Sequence, residues 1–240
     1  MNNATELEEM AARHGTDKHS TGGHCYARHY ARHFASFRDR EIKLLEIGIG
    51  GYEDAAQGGE SLRLWKEYFP KAQIVGLDIF DKHSFAEDRI DIFRGSQDSN
   101  ETLDHLTKQY GEFDLIIDDG SHVNAHVIFT FNCLFPSLKT GGIYVVEDLQ
   151  TAYWRNFGGT STDLDAKYTS VGFFRNLVNG LNHREIVRPG YVPSYLDLNI
   201  ESIHFYHNIV FVYKGDNSEQ SNLLLNNSVP EHLINFVGGE

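Results

Sequence analysis

A doubly wound α/β sheet of seven strands, mostly parallel and closed by a C-terminal antiparallel hairpin, is the fold the sequence predicts. Three observations predict it. Five near-continuous apolar runs alternate with segments of helical periodicity between residues 41 and 148, the pattern of a parallel sheet covered on both faces. Polar or glycine-rich residues stand at the carboxyl ends of those runs, where open α/β sheets bind ligands. Residues 200–215, "IESIHFYHNIVFVYKG", hold two strands joined at His207-Asn208, a connection too short for a crossover and therefore antiparallel.

The elements follow in order. Residues 1–40 form an N-terminal helical or lid segment containing "HGTDKHSTGGHCYARHYARHF", rich in His, Tyr and Gly. Tyr26, Tyr30 and Phe34 recur every four residues and share one helix face. That face either packs on the main domain or forms a lid or substrate wall, which makes Tyr26 and Tyr30 candidate substrate contacts. Strands are expected at 42–49, 72–80, 89–95, 113–119 and 141–148. Helices are expected at 61–69, at 99–111 with Ser99 as cap and Gly111 as stop, and at 125–138. The main domain spans 41–215. Residues 150–198 form an inserted substrate loop, where Tyr153 and Trp154 are candidates to stack on a substrate or to pack on the sheet. Residues 216–240 form a C-terminal tail.

Composition bounds the function. The 240 residues are 40% hydrophobic and 23% charged, an ordinary globular balance. No run approaches the ~20 apolar residues of a membrane span, and the N-terminus has neither the basic region nor the apolar core of a secretion signal. Two cysteines, Cys25 and Cys133, read as reduced thiols of a cytoplasmic protein. A formal net charge of −13 disfavours nucleic acid as a partner.

The strand ends carry the chemistry. The first, "LLEIGIGGYED", supplies Gly48, Gly50 and Gly51 for close approach of a ligand. It lacks the third glycine of the dinucleotide fingerprint. Glu46 there would repel a pyrophosphate but suits a cation such as the amino group of S-adenosylmethionine. Asp78 ends the second strand, where an acidic side chain accepts from ribose hydroxyls. In "GSQDS", Gln97 is placed to meet an adenine edge. The fourth strand ends in Asp118 and Asp119 and the fifth in Glu147 and Asp148. Four carboxylates converging at one crevice would raise each other's pKa, and a hard divalent cation such as Mg²⁺ would resolve the repulsion. Alternation along the strand sends Asp118 toward the cofactor and Asp119 toward the metal; capping of following helices is the other use for single carboxylates. His122 is placed to act as general base, to pack the next helix or to ligate the metal.

The combination "LLEIGIGGYED", "GGESLRLWKEYFP", "IVGLDIFDK", "DLIIDDGSHV" and "GGIYVVEDLQTAYW" resembles the class I S-adenosylmethionine-dependent methyltransferases. More narrowly it is similar to the metal-dependent sugar O-methyltransferases that act on deoxysugar and rhamnosyl groups of macrolides and other glycosides. The resemblance implies Asp119, Glu147 and Asp148 as metal ligands and His122 as the general base. It also implies Glu46, Gly48, Ser61, Asp78, Gln97 and Asp118 as cofactor contacts, a glycoside acceptor, and a homo-oligomer. The macrolide enzymes carry a substantial additional N-terminal domain, whereas about forty residues precede the first strand here. A catechol or other non-sugar diol is the alternative acceptor. An NAD-dependent oxidoreductase and a non-catalytic binding domain are the more distant readings.

Overall fold

In the computed structural model, which describes residues 3–21 and 23–237, seven strands form one mixed sheet in the order β3-β2-β1-β4-β5-β7-β6. Residues 1–2 of the N-terminal segment, Gly22 and residues 238–240 of the tail lie outside the described residues. Strands β1 (Lys43–Ile47), β2 (Gln73–Asp78), β3 (Ile90–Arg94), β4 (Phe113–Asp118) and β5 (Leu138–Val146) run parallel. β7 (Ile209–Lys214) pairs antiparallel with β5, and β6 (Ile200–Tyr206) is the outer strand. The hairpin turns at His207 and Asn208, and Asn208 takes the positive φ of 61° that such a tight turn demands. Strand order reverses between β1 and β4, so their carboxyl ends open a crevice.

Period-two alternation divides the core between two faces of the sheet. Leu44, Ile74, Leu115, Ile117, Ile143 and Val145 face α1 (Asn3–His14), α2 (Ala27–Phe34) and α3 (Glu60–Tyr68). Leu45, Ile116, Tyr144 and Val146 face α4 (Asn100–Tyr110), α5 (Asn124–Leu134) and α6 (Ser170–Leu181). The aromatic spacing near the N-terminus serves packing. Tyr26, Tyr30 and Phe34 are all buried, and Tyr30 meets Trp65 and Phe211 edge-on at 4.9 and 5.4 Å between centroids.

Local signals behave as their chemistry requires. Ser99 caps α4 by accepting from the Thr102 N–H at 3.2 Å, and Gly111 stops it at φ 71°. The apolar helix expected over 125–138 ends at Leu134. Pro136 breaks it into a short 3-10 turn over Phe135–Ser137, and the chain re-enters the sheet at Leu138, three residues before the expected start at 141. The segment 150–198 contains α6, closed in by Gly172 and Gly180, and the short α7 (Tyr195–Asn199). No helix among the described residues is long and apolar enough to cross a membrane.

Candidate active site

A cleft of about 820 Å³ lies over the crevice, lined by Gly48, Gly50, Gly51, Ser61, Asp78, Gln97, Asp119, His122 and Asp148 among others. Its floor is built by backbone register. The Gly48 N–H donates to Leu77 O at 2.8 Å, the Asp119 N–H to Ile47 O at 2.9 Å, and the Glu147 N–H to Asp118 O at 3.0 Å, so the ends of β1, β2, β4 and β5 are laced at one level. Gly48 holds φ 90°, and a Cβ there would sit 2.0 Å from Asp119 O. Only glycine permits the first loop to lie against the aspartate turn.

Alternation sends Asp118 and Asp119 to opposite faces, as their adjacency predicts. Asp119 follows Ile117 to the α1–α3 face and reaches the cleft. Asp118 follows Ile116 to the other face and is fully buried away from the cleft. Its Oδ1 accepts from Gln97 Nε2 at 3.1 Å, and burial, opposed by that hydrogen bond, raises its pKa to about 6. Gln97 Oε1 in turn accepts from the Ser121 N–H at 2.6 Å. The Gln97 amide is thus engaged in holding the turn that carries His122, and Asp118 acts on the cleft through Gln97.

Asp119, His122 and Asp148 form one cluster, with a ligating atom of each within 4.8 Å of the others. His122 Nε2 lies 3.6 Å from Asp148 Oδ2, and Tyr26 donates to Asp148 Oδ1 at 2.8 Å. His24 lines the cleft beside them, its Nδ1 3.8 Å from Asp148. Burial, with Asp148 and Glu147 adding to it, pushes the Tyr26 phenol well above its ordinary pKa and keeps it a neutral donor.

Glu147 stands behind this group. It is buried, and its Oε1 accepts from Tyr30 and from Lys18 Nζ, the latter at 2.8 Å. Burial raises its pKa well above the carboxylate range, with Asp119 adding to the rise and Lys18 opposing it. Tyr30 therefore meets Glu147 and lies outside the cleft lining, whereas Tyr153 and Trp154 are exposed on the rim beside Phe157, which does line it. Glu46 is 0% exposed, neither of its oxygens accepts a hydrogen bond, and burial lifts its pKa to about 7 against the opposing charge of Lys18. Asp78 lines the cleft while Oδ2 accepts from the Ile49 N–H at 2.9 Å and Oδ1 from the Phe80 N–H at 2.8 Å.

The sequence reading missed Lys18 and Asn124. Lys18 lies in a stretch with no periodicity to mark it. Asn124 is an ordinary polar residue at the start of a helix, yet its Nδ2 donates to Thr151 O at 3.1 Å and Phe157 O at 2.8 Å, and its Oδ1 accepts from the Ser170 N–H at 2.6 Å.

No protein-family model matches the chain. It is 45% identical over 215 residues to the mycinamicin VI 2''-O-methyltransferase of Micromonospora griseorubida, covering 89% of this chain and 54% of that protein. It is 47% identical over 213 residues to the 8-demethyl-8-alpha-L-rhamnosyl tetracenomycin-C 2'-O-methyltransferase of Streptomyces olivaceus, covering 88% of this chain and 55% of that one. The structure of MycE methyltransferase from the mycinamycin pathway, in complex with Mg and SAH, superposes with a TM-score of 0.85 at 45% identity, over 89% of this chain and 55% of MycE. The chain thus spans about half the length of the relatives it matches. The chain has the Rossmann-like methyltransferase fold, and over nearly nine-tenths of its own length it is similar to the macrolide and tetracenomycin sugar O-methyltransferases.

Proposed function

We propose that the protein is a magnesium-dependent O-methyltransferase that uses S-adenosylmethionine to methylate a sugar hydroxyl of a glycoside. One observation carries this: Asp119, His122 and Asp148 converge at the edge of a glycine-lined cleft at the β1/β4 switch. Relatives named for 2'- and 3'-hydroxyls of rhamnosyl groups, and MycE in complex with Mg, SAH and mycinamycin VI, support the acceptor class.

The residues fit both groups. Asp119 and Asp148 offer carboxylate oxygens to a hard cation, as Mg²⁺ prefers. Glu147 adds to the set from behind, with Oε1 committed to Lys18 and Tyr30. Glu46 is a buried carboxylate whose oxygens receive no hydrogen bond and whose Oε1 has Lys18 Nζ at 3.5 Å, and its charge suits a cationic amino group. Gly48, Ser61 and Asp78 line the same cleft. When bound, the metal would acidify and orient the acceptor hydroxyl, and the sulfonium cofactor would supply an electrophilic methyl group.

This chain's own residues do the rest. His122 takes the hydroxyl proton, held beside Asp148, which stabilises the imidazolium that results. Tyr26 fixes the Asp148 carboxylate by donating to Oδ1. The rim of residues 150–198, with Tyr153, Trp154 and Phe157, forms the acceptor side, where aromatic faces suit the apolar surface of a sugar. Free thiols at Cys25 and Cys133 fit a cytoplasmic setting, and a homo-oligomer accords with the family resemblance.

The test is methyl transfer from labelled S-adenosylmethionine to a panel of rhamnosyl and deoxysugar glycosides and catechols. Transfer to glycosides, abolished by a chelator and restored by Mg²⁺, is expected. Transfer confined to catechols, or undiminished by the chelator, would overturn the proposal.

A further inference from the structure

Three lysines are buried among the described residues, and their ammonium groups meet different partners. Lys82 donates to the carbonyls of Asp54 and Gln57, and Lys214 to those of Phe135, Pro136 and Leu138. These two tie down loops. Lys18, 1% exposed, meets carboxylates instead. Its Nζ lies 2.8 Å from Asp119 Oδ2, 2.8 Å from Glu147 Oε1 and 3.5 Å from Glu46 Oε1. Those three residues end β4, β5 and β1, and all three project to the face covered by α1–α3, so one ammonium bridges three strand ends.

The N-terminal segment is built to deliver it. α1 ends at His14, Gly15 turns the chain at φ 77°, and the Thr16 N–H returns to Ala11 O at 3.1 Å. Thr16 Oγ1 accepts the Lys18 N–H at 3.0 Å, and the Lys18 carbonyl accepts the Ala27 N–H at 2.8 Å as α2 begins. Gly15, Thr16, Asp17 and Lys18 all line the cleft.

A largely buried ion-pair cluster is poor value for stability alone, because desolvation offsets most of its Coulomb gain and apolar packing does as well. Its use lies in geometry. Lys18 occupies one oxygen of Asp119 and one of Glu147, and no other described residue donates to Asp119 Oδ1 or Glu147 Oε2. Glu46, the candidate cofactor carboxylate, is on the same ammonium.

We propose that Lys18 is a positioning residue that couples the two halves of the centre, orienting Asp119 and Glu147 toward the metal while anchoring Glu46 on the cofactor side. This rests on the proposed function. The N-terminal segment is then a constituent of the catalytic centre, since the bridging charge comes from it.

The test measures binding without turnover. Dissociation constants for Mn²⁺, read by the electron paramagnetic resonance of the free ion, and for S-adenosylhomocysteine, read by calorimetry, are compared in the wild type, Lys18→Met and Glu46→Gln. Lys18→Met is expected to weaken both ligands at least tenfold well below its melting temperature and to broaden the bound Mn²⁺ spectrum. Glu46→Gln supplies an independent arm that does not depend on Lys18→Met folding. It leaves the ammonium bound to Asp119 and Glu147 alone, and weakens Mn²⁺ at least threefold although Glu46 is no ligand. Unchanged constants in a folded Lys18→Met, tighter Mn²⁺ binding in it, or Glu46→Gln affecting S-adenosylhomocysteine only would overturn the coupling. A wild type that binds neither ligand would overturn the proposed function and this inference with it.

Discussion

His122 Nε2 stands 3.6 Å from Asp148 Oδ2, and both residues are held at φ 55°, in the left-handed region. Two non-glycine residues in that region, facing each other across a cleft, are a local cost of roughly 1–2 kcal/mol each that the surrounding fold must sustain. The turns re-aim both side chains at one spot: Asp148 leaves the buried face of Glu147, and His122 clears the start of α5. If His122 is the base, His122→Gln lowers kcat by about 10²–10⁴-fold and leaves Mn²⁺ affinity within about threefold of wild type. If it is a ligand, the Mn²⁺ constant moves with the rate. Steady-state kinetics alongside Mn²⁺ titration separates the two.

Gly48→Ala tests the contact between the cofactor loop and the aspartate turn. The new Cβ would meet Asp119 O at 2.0 Å and would hold φ 90°. Gly141 is the control, since its φ of 81° is equally left-handed but a Cβ there meets nothing within 4 Å. Gly141→Ala therefore shows backbone strain alone, about 1–2 kcal/mol. Gly48→Ala is expected to cost about 2 kcal/mol more and to weaken S-adenosylhomocysteine at least tenfold. Denaturant melts and calorimetry measure both; equal destabilisation with intact binding would show that the close approach is dispensable.

How much of this was legible follows the range of each signal. Ser99 and Gly111 bound α4 through their own backbone geometry, so the sequence displays both ends. The opposite directions of Asp118 and Asp119 follow from the two-residue period, and neighbouring strand ends bring Asp148 to Asp119. The later turn of the chain at Pro136 was visible as a residue, yet β5 starts three residues early because its first part pairs with β4 across a register shift between Phe113 and Leu115. No local pattern encodes such a shift. Asp118 was expected at the cofactor; the direction of alternation is local, but which face opens into the cleft is decided by the helices that cover it. Lys18 was illegible for a related reason, because its partners lie on three strands far along the chain.

Asn124→Ala tests the brace behind the acceptor rim. Its side chain serves Thr151 O, Phe157 O and the Ser170 N–H, and it is buried. Removing it takes the partner from Phe157 O and the Ser170 N–H, while Thr151 O keeps the Trp154 N–H at 3.0 Å, at an expected cost of about 2–4 kcal/mol. Since Phe157 lines the cleft, the acceptor KM should rise several-fold while S-adenosylhomocysteine affinity holds. A change confined to the cofactor would place the 149–157 segment outside acceptor binding.

His33 predicts how stability falls in acid. It is buried on α2 against the hairpin, with Nδ1 2.6 Å from Tyr213 Oη and Nε2 2.9 Å from Tyr206 Oη. Burial, then the nearby His204, Arg32 and His29, lowers its pKa from 6.5 to about 4. A depressed histidine pKa means the unfolded chain binds a proton that the folded chain refuses. Its contribution is therefore fully present above pH 6.5 and is lost as pH falls toward 4. Discounted for the partly open surroundings, the loss is about 1–2 kcal/mol. His33→Gln keeps a polar group between the two tyrosines but does not titrate, so its melting temperature should fall less steeply between pH 6.5 and 4 than that of the wild type. His29, also lowered to about 4 by burial and then by Arg28 and Arg32, stacks on Tyr206 at 3.9 Å and contributes in the same direction. The double variant His29→Gln/His33→Gln should flatten the profile further. Parallel profiles for all three proteins would assign the acid loss to other groups, the carboxylates with lowered pKa among them.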